Sequence, residues 1–378
     1  MQHLPKKNNI TFFFLTMQRT GSELVLFNLL PYLDKSIDLQ VISKYKGELY
    51  NNLPATVKKD FLFYFLPKNR VQKLIHRFQR KGIISNKLPR QKNSVWYLNT
   101  ILSPDILEAA ENNKIDVILH VHELEHMFRL LSESQIQRLI RYPGLIIANS
   151  NASKKILMKL GRQENIEICY PPVDTAAVIK DTTVRNAYRK KMGISQKSFV
   201  WTMCGTLDEN KNPFLFIDIA RQVISVYPDA VFLWIGNAND TAYEKTCKER
   251  AEEKGVAKNI RWINPVGKEY LHYFNTADGF VLTSKKESFS LVTVEALLLE
   301  LPVVANDCEG VREIINDPLT GKIVPGENAV NMAKEMIAFM NGSAIFNPAL
   351  AKESTKRFDI RVIEKEWNRL IQHYLTIH

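Results

Sequence analysis

Cysteine is scarce in this sequence. Only four occur in 378 residues, Cys169, Cys204, Cys247 and Cys308, and no two stand in C-x-x-C spacing. That excludes a zinc site readable from spacing and a disulfide framework, and it points to a reducing compartment. No apolar run approaches the roughly 20 residues that cross a bilayer as a helix. Near the start, Lys6-Lys7 precede the apolar run Ile10–Met17. The run is short and lacks a small-residue cleavage site, so a first β-strand is expected there rather than a signal peptide. The chain contains no G-x-G-x-x-G and no P-loop, which removes the usual dinucleotide and NTP signatures, and no D-x-D, which disfavours metal-dependent chemistry of the kind that uses that motif. It also lacks low-complexity tracts and any repeat of 20–50 residues.

What is present is a globular composition, 45% hydrophobic and 24% charged, in a length that suits two domains rather than one core. Charge is divided unevenly. The first 172 residues hold 25 Lys/Arg against 14 Asp/Glu, and the remainder holds 26 of each. The whole excess of +11 therefore lies before Pro172, and the neutral second part argues against a nucleic-acid coat protein. Short apolar runs alternate with amphipathic stretches. Strands are expected at Thr11–Thr16, Ile37–Ile42, Val95–Leu98, Ile115–Val121, Leu145–Ala148 and Ile166–Cys169. After Pro171-Pro172 they are expected at Phe199–Cys204, Val231–Ile235, Ile260–Ile263, Phe280–Thr283, Val303–Ala305 and Lys322–Val324. Such alternation predicts α/β architecture with parallel sheets covered on both faces. Two series joined at a Pro-Pro hinge predict two doubly wound domains, with a last helix over Asp359–Leu375.

Three segments carry chemistry. Cys204 to Pro213 follows a strand and opens a helix, with Asn212 suited to the N-cap and Pro213 to the first helical position. A turn at Gly205, the cation Lys211 and a helix N-terminus together suit a diphosphate, against the alternative of a plain turn with a solvated lysine. Glu287 to Glu295 places one carboxylate in a loop and another inside an apolar helix. A buried glutamate needs donors, which a sugar diol supplies; the alternative is a half-exposed helix residue. Asp307 to Glu313 follows a further strand, and Gly310 would let backbone approach a ligand.

These segments, in this order, resemble the retaining group 1 glycosyltransferases of family four, which have the GT-B fold. The match runs from about residue 200 to 330. It covers Gly205…Lys211, Ile235-Gly236, Ala277-Asp278 to Ser284, Glu287…Glu295-Ala296, Leu301-Pro302-Val303-Val304-Ala305, Gly310…Glu313 and Thr320-Gly321. The resemblance implies two Rossmann-like domains facing a central cleft. Residues 1–172, with the C-terminal helix of about 359–378, would bind acceptor. Residues 173–358 would bind the nucleotide-sugar donor. It further implies that Gly205 and Lys211 meet the donor diphosphate and that Glu295 meets the nucleotide ribose. Glu287 would lie beside the donor sugar, with Ser288, Phe289, Ser290 and Leu291 lining sugar or phosphate. One position departs: Thr206 stands where the family has an arginine, so a bidentate phosphate ligand is missing.

In the first part, Gln18 to Glu23 follows the first strand where the family has a glycine-rich loop, and only Gly21 is glycine here. His120, His122 and His126 cluster at and beyond the end of the strand Ile115–Val121, at the sheet edge where open α/β sheets bind ligands. Metal binding is one reading of that spacing. The family resemblance favours a histidine beside the donor sugar, His122 first and His120 in reserve. Catalytic roles then fall to His122, Glu287 and Lys211, with no cofactor and no metal. The implied activity is transfer of a sugar to a glycan or lipid-linked acceptor in cell-surface polysaccharide or glycolipid synthesis. The rival readings are a GT-B epimerase or phosphorylase and a non-catalytic sugar-nucleotide-binding protein. Finally, Lys58–Lys92 holds eleven Lys/Arg, one acid and several aromatics. An anionic membrane surface or acceptor fits it, a buried strand followed by a solvated basic helix is the rival, and nucleic acid fits least. The expected location is the cytoplasm, either free or peripheral at the inner membrane face.

Overall fold

The computed structural model describes residues 9–64, 66–67, 72, 82–84, 87–89, 94–265 and 267–377. Most of the basic stretch, including Arg77, Arg80 and Lys81, lies outside the described residues. The chain divides into two compact units, Met1–Pro172 with Ile360–His378, and Val173–Asp359.

The first unit holds a parallel sheet built from β1 (Asn9–Phe14), β2 (Asp38–Tyr45), β3 (Lys58–Phe63), β4 (Ser94–Leu98), β5 (Asp116–Val121), β6 (Leu145–Ala148) and β7 (Ile166–Ile168). Their order is β3-β2-β1-β4-β5-β6-β7. Its central strands are apolar without alternation because both faces are covered: Phe12, Phe13 and Phe14 of β1 are all buried. The helix Ile360–Ile377 supplies part of that cover. Trp367 is fully buried beside Phe12 and Tyr97, and its Nε1 donates to the Tyr97 hydroxyl at 3.0 Å.

The second unit repeats the plan with β8 (Val200–Cys204), β9 (Val231–Ile235), β10 (Ile260–Ile263), β11 (Gly279–Leu282), β12 (Val303–Asn306) and β13 (Gly321–Val324), ordered β10-β9-β8-β11-β12-β13. Both sheets are doubly wound, in agreement with the α/β reading of the sequence. Each reverses direction of winding once, between β1 and β4 in the first unit and between β8 and β11 in the second. Open parallel sheets bind ligands at the carboxyl ends of strands at such points. Chain leaving β8 and β11 carries Lys211 and Glu287; chain leaving β1, β4 and β5 carries Gly21, Asn99 and His122.

Candidate active site

In the second unit the turn after β8 is built for close approach. At Gly236 an added Cβ would lie 2.0 Å from the Gly205 carbonyl oxygen, so the turns after β8 and β9 touch backbone to backbone. At Gly205 an added Cβ would come within 3.0 Å of Lys211 Cε, so the lysine stem folds across that glycine. Asp208 Oδ1 accepts from the Lys211 backbone N–H at 2.9 Å. Asn212 then caps the helix Pro213–Ile224, accepting from Leu215 N–H at 3.2 Å in the left-handed conformation (φ 56°) that Asn tolerates.

The loop after β11 is stitched to this turn. Thr283 Oγ1 donates to the Lys211 carbonyl at 2.7 Å, Lys285 N–H to the Asn210 carbonyl at 2.7 Å, and Asn210 Nδ2 to the Lys286 carbonyl at 3.0 Å. The stitching brings Lys211 Nζ to 2.5 Å from Glu287 Oε1. Burial acts to lower the lysine pKa, but the Glu287 and Asp208 carboxylates outweigh it and raise the pKa. Lys211 is therefore a fixed, mostly buried cation and not the solvated lysine of the rival reading.

Gly310 has a different purpose from the one its sequence suggested. An added Cβ there would sit 2.5 Å from the Ser288 backbone, and Gly310 N–H donates to the Glu287 carbonyl at 3.0 Å. The space is occupied by the protein's own loop, which it holds in place, and not left open for a ligand. Beyond it Ser288 is half-buried and Phe289 is buried edge-on against Phe358. Ser290 is buried with its hydroxyl 2.9 Å from Thr293 Oγ1. Leu291 opens the helix Leu291–Leu298, and Glu295 lies inside it.

Glu295 is 9% exposed. Its Oε1 accepts from the Tyr270 hydroxyl at 2.6 Å, while Oε2 is buried with no partner among the described residues. Burial pushes the carboxyl up to about 7, with the Tyr270 bond pulling it down. Cys204, buried at the end of β8, feels the charges of both Glu295 and Lys211. Sequence reasoning missed Tyr270, because no motif marks it and its partner lies 25 residues away.

In the first unit the loop after β1 is organised by another residue the sequence did not single out. Glu23 is buried and accepts from the N–H groups of Leu15, Thr16 and Met17 at 3.0, 3.3 and 2.9 Å. Gly21 begins the helix Gly21–Leu29, exposed, with nothing within 4 Å of where a Cβ would be. Asn99, just past β4, joins this loop to the histidines: its Nδ2 donates to the Ser22 carbonyl at 2.9 Å and its Oδ1 lies 3.0 Å from His122 Nε2. Because the Asn99 amide gives its donor side to Ser22, His122 Nε2 must carry hydrogen, and Nδ1 keeps the lone pair. Burial pushes His122 down to about 3, so the ring is neutral at physiological pH.

The two candidate histidines differ in setting. His120 is fully buried, its Nδ1 2.7 Å from the Tyr97 hydroxyl within the Trp367 network. His122 is half-buried past the strand end, its ring 4.1 Å from that of His120. His126 is exposed. No group of three or more His, Cys, Asp or Glu suited to a metal occurs among the described residues.

Known proteins resemble this chain in sequence and in fold. Residues 184–357 match the family Glycosyl transferases group 1. A D-inositol 3-phosphate glycosyltransferase of Corynebacterium urealyticum is 26% identical over 62% of this chain and 56% of its own length. The chain thus spans about half the length of the first such relatives. An uncharacterized glycosyltransferase of Methanocaldococcus jannaschii is 23% identical over 92% of this chain and 95% of its own. Among solved structures, Anabaena HepE in complex with UDP and glucose superposes with a TM-score of 0.78 at 19% identity, covering 97% of this chain and 100% of that one. A Rickettsia africae glycosyltransferase gives 0.74 at 15% identity, covering 98% and 99%. The second unit thus matches the group 1 glycosyltransferases over nearly its whole length, on a chain with the two-sheet GT-B fold.

Proposed function

We propose that the protein is a retaining glycosyltransferase that takes a sugar from a nucleotide-diphospho-sugar, without a metal, and gives it to a glycan or lipid-linked acceptor. The observation that carries this reading is the grouping at the β8/β11 switch point. There the cation Lys211 is held by Glu287, and a buried carboxylate, Glu295, has one oxygen in want of a donor. A nucleoside diphosphate satisfies both, with phosphates on Lys211 and ribose hydroxyls on Glu295. HepE, of the same fold, binds UDP, which supports a donor of this class.

When the bond between the anomeric carbon and the diphosphate breaks, negative charge develops on the departing oxygen. Lys211 has three N–H donors and Glu287 occupies one, which leaves two for phosphate oxygens. A fixed cation in a water-poor site stabilises such charge without reorganising. Glu287 keeps that cation in place beside the donor sugar, and the first turn of the helix Leu291–Leu298, reached through Ser288, Phe289 and Ser290, adds its dipole. In the first unit, Gly21 and His122 stand in the loops past β1 and β5, and His122 keeps a lone pair on Nδ1 for a hydroxyl donor.

The test is a donor panel. UDP-, GDP- and ADP-sugars are assayed for nucleotide release with and without chelator, and each nucleoside diphosphate is assayed for a rise in melting temperature. One nucleotide should stabilise the protein, and its sugar conjugate should turn over in chelator. No stabilisation by any of them, or turnover abolished by chelator, defeats the reading.

A further inference from the structure

We propose that Tyr270 is a positioning residue. Its hydroxyl holds one oxygen of Glu295 so that the other, Oε2, is presented to a vicinal diol of the ligand. This rests on the function proposed above, where the diol is the ribose of a nucleoside diphosphate.

Glu295 stands among Thr293, Val294, Ala296, Leu297 and Leu298, all buried. A carboxylate there accepts at both oxygens or bears a heavy desolvation cost. Only Oε1 is met, by Tyr270 at 2.6 Å, and Oε2 is left bare and buried. Tyr270 comes from a separate element, the short helix Tyr270–Phe274 that follows β10. The bond therefore clamps the β10 side of the sheet to the helix after β11 and fixes which oxygen remains for a ligand.

The clamp has a further effect on proton placement. The Tyr270 hydrogen occupies Oε1, so a proton taken up by Glu295 goes to Oε2, the oxygen left for the ligand. Oε2 accepts a ligand hydroxyl only while the carboxyl is ionised. The other groups facing Glu295 do not change this. Cys204 from β8 is itself pushed up by burial. Lys211 is engaged with Glu287. β11 and β12 carry no ionisable side chain. On the helix Pro348–Ser354, Lys352 pairs with Glu300 and Glu353 with Lys356. Affinity for the diol should then rise with pH through the Glu295 titration, near 7. Removing the hydroxyl takes away a bond that favours the ionised form, so the titration moves upward.

The experiment measures Kd for UDP, GDP and ADP and for their 2′,3′-dideoxy analogues, from about pH 5.5 to about pH 8.5, on the wild type and on Tyr270→Phe. The wild type should prefer one ribonucleotide over its dideoxy analogue by roughly tenfold or more at high pH. That preference should shrink as pH falls through about 7. Tyr270→Phe should lose most of the preference at neutral pH, with its midpoint displaced upward. A variant with the wild-type preference and midpoint overturns the inference and leaves the site reading standing. A wild type indifferent to the diol, or one that binds no nucleotide, overturns the site reading and the inference with it. If Tyr270→Phe does not fold, the wild-type series decides, since a preference independent of pH overturns the inference.

Discussion

Lys211 and Glu287 hold each other, so in the proposed reaction the cation is already in position for a diphosphate. Lys211→Ala should remove a charge-assisted contact, costing about 1.5–3 kcal/mol of transition-state stabilisation and thus roughly ten- to hundredfold in kcat/KM. Steady-state kinetics beside a thermal melt checks this, and a variant that loses only stability takes Lys211 out of the reaction. Glu295 makes the opposite bargain with the fold. Its carboxyl is raised from 4.5 to about 7 in the folded chain, so the folded state holds the proton more tightly than the unfolded one. The resulting penalty is absent below pH 4.5, grows as pH rises through that window and is complete above about 7. Glu295→Gln should therefore stabilise the free protein at pH 8, by up to roughly 3 kcal/mol, while leaving it unchanged near pH 4, and it should weaken nucleotide binding. Melting curves at the two pH values decide. Such residues are only partly legible in a sequence. Lys211, Glu287 and Glu295 stand in a recognisable order, whereas Tyr270 and Asn99 gain their meaning from partners that folding brings to them.

At the scale of elements, strands were the legible part. Leu145–Ala148 and Val231–Ile235 occur as their apolar runs predict, because a strand covered on both faces must be apolar throughout, and Ile260–Ile263 occurs as expected at the sheet edge, where Arg261 is tolerated. β11 begins one residue earlier than expected, at Gly279. Glycine reads as a break, yet a Cβ there would lie 2.4 Å from the Trp201 ring, and the bare backbone is what lets the ring pack. Gly21 is the contrasting case. It opens a helix into unfilled space, so packing gives no reason for glycine. Gly21→Ala should leave the folding stability within about 0.5 kcal/mol of wild type, as read from thermal melts. If the residue faces the donor sugar, the same change should lower transfer several-fold, and unaltered kinetics would remove Gly21 from the site.

For the whole molecule, the dominant feature is the concentration of positive charge before Pro172. On the edge strand β3 and its surroundings, cations and rings alternate. Lys46 and Lys59 lie 5.5 and 5.3 Å from the Tyr50 ring, and Lys46 and Lys87 each lie 5.3 Å from that of Phe61. We propose that this face meets an anionic membrane leaflet, where each cation contributes up to about 1 kcal/mol and salt screens the attraction. The protein should sediment with anionic but not neutral vesicles, less so as salt is raised. Arg77→Glu, Arg80→Glu and Lys81→Glu together should weaken binding without altering nucleotide affinity. Equal binding to neutral vesicles would assign the charge to another task.

The return of the chain to its first unit has a consequence for biosynthesis. Trp367, at the centre of one unit's packing, is translated after every residue of the other. The ribosome therefore delivers Val173–Asp359 complete while the earlier sheet still lacks the helix that covers Phe12 and Tyr97. Until that helix emerges, the early sheet exposes an aromatic face to the folding machinery. Chaperone dependence of the nascent chain should be greatest in the interval before Trp367 leaves the exit tunnel.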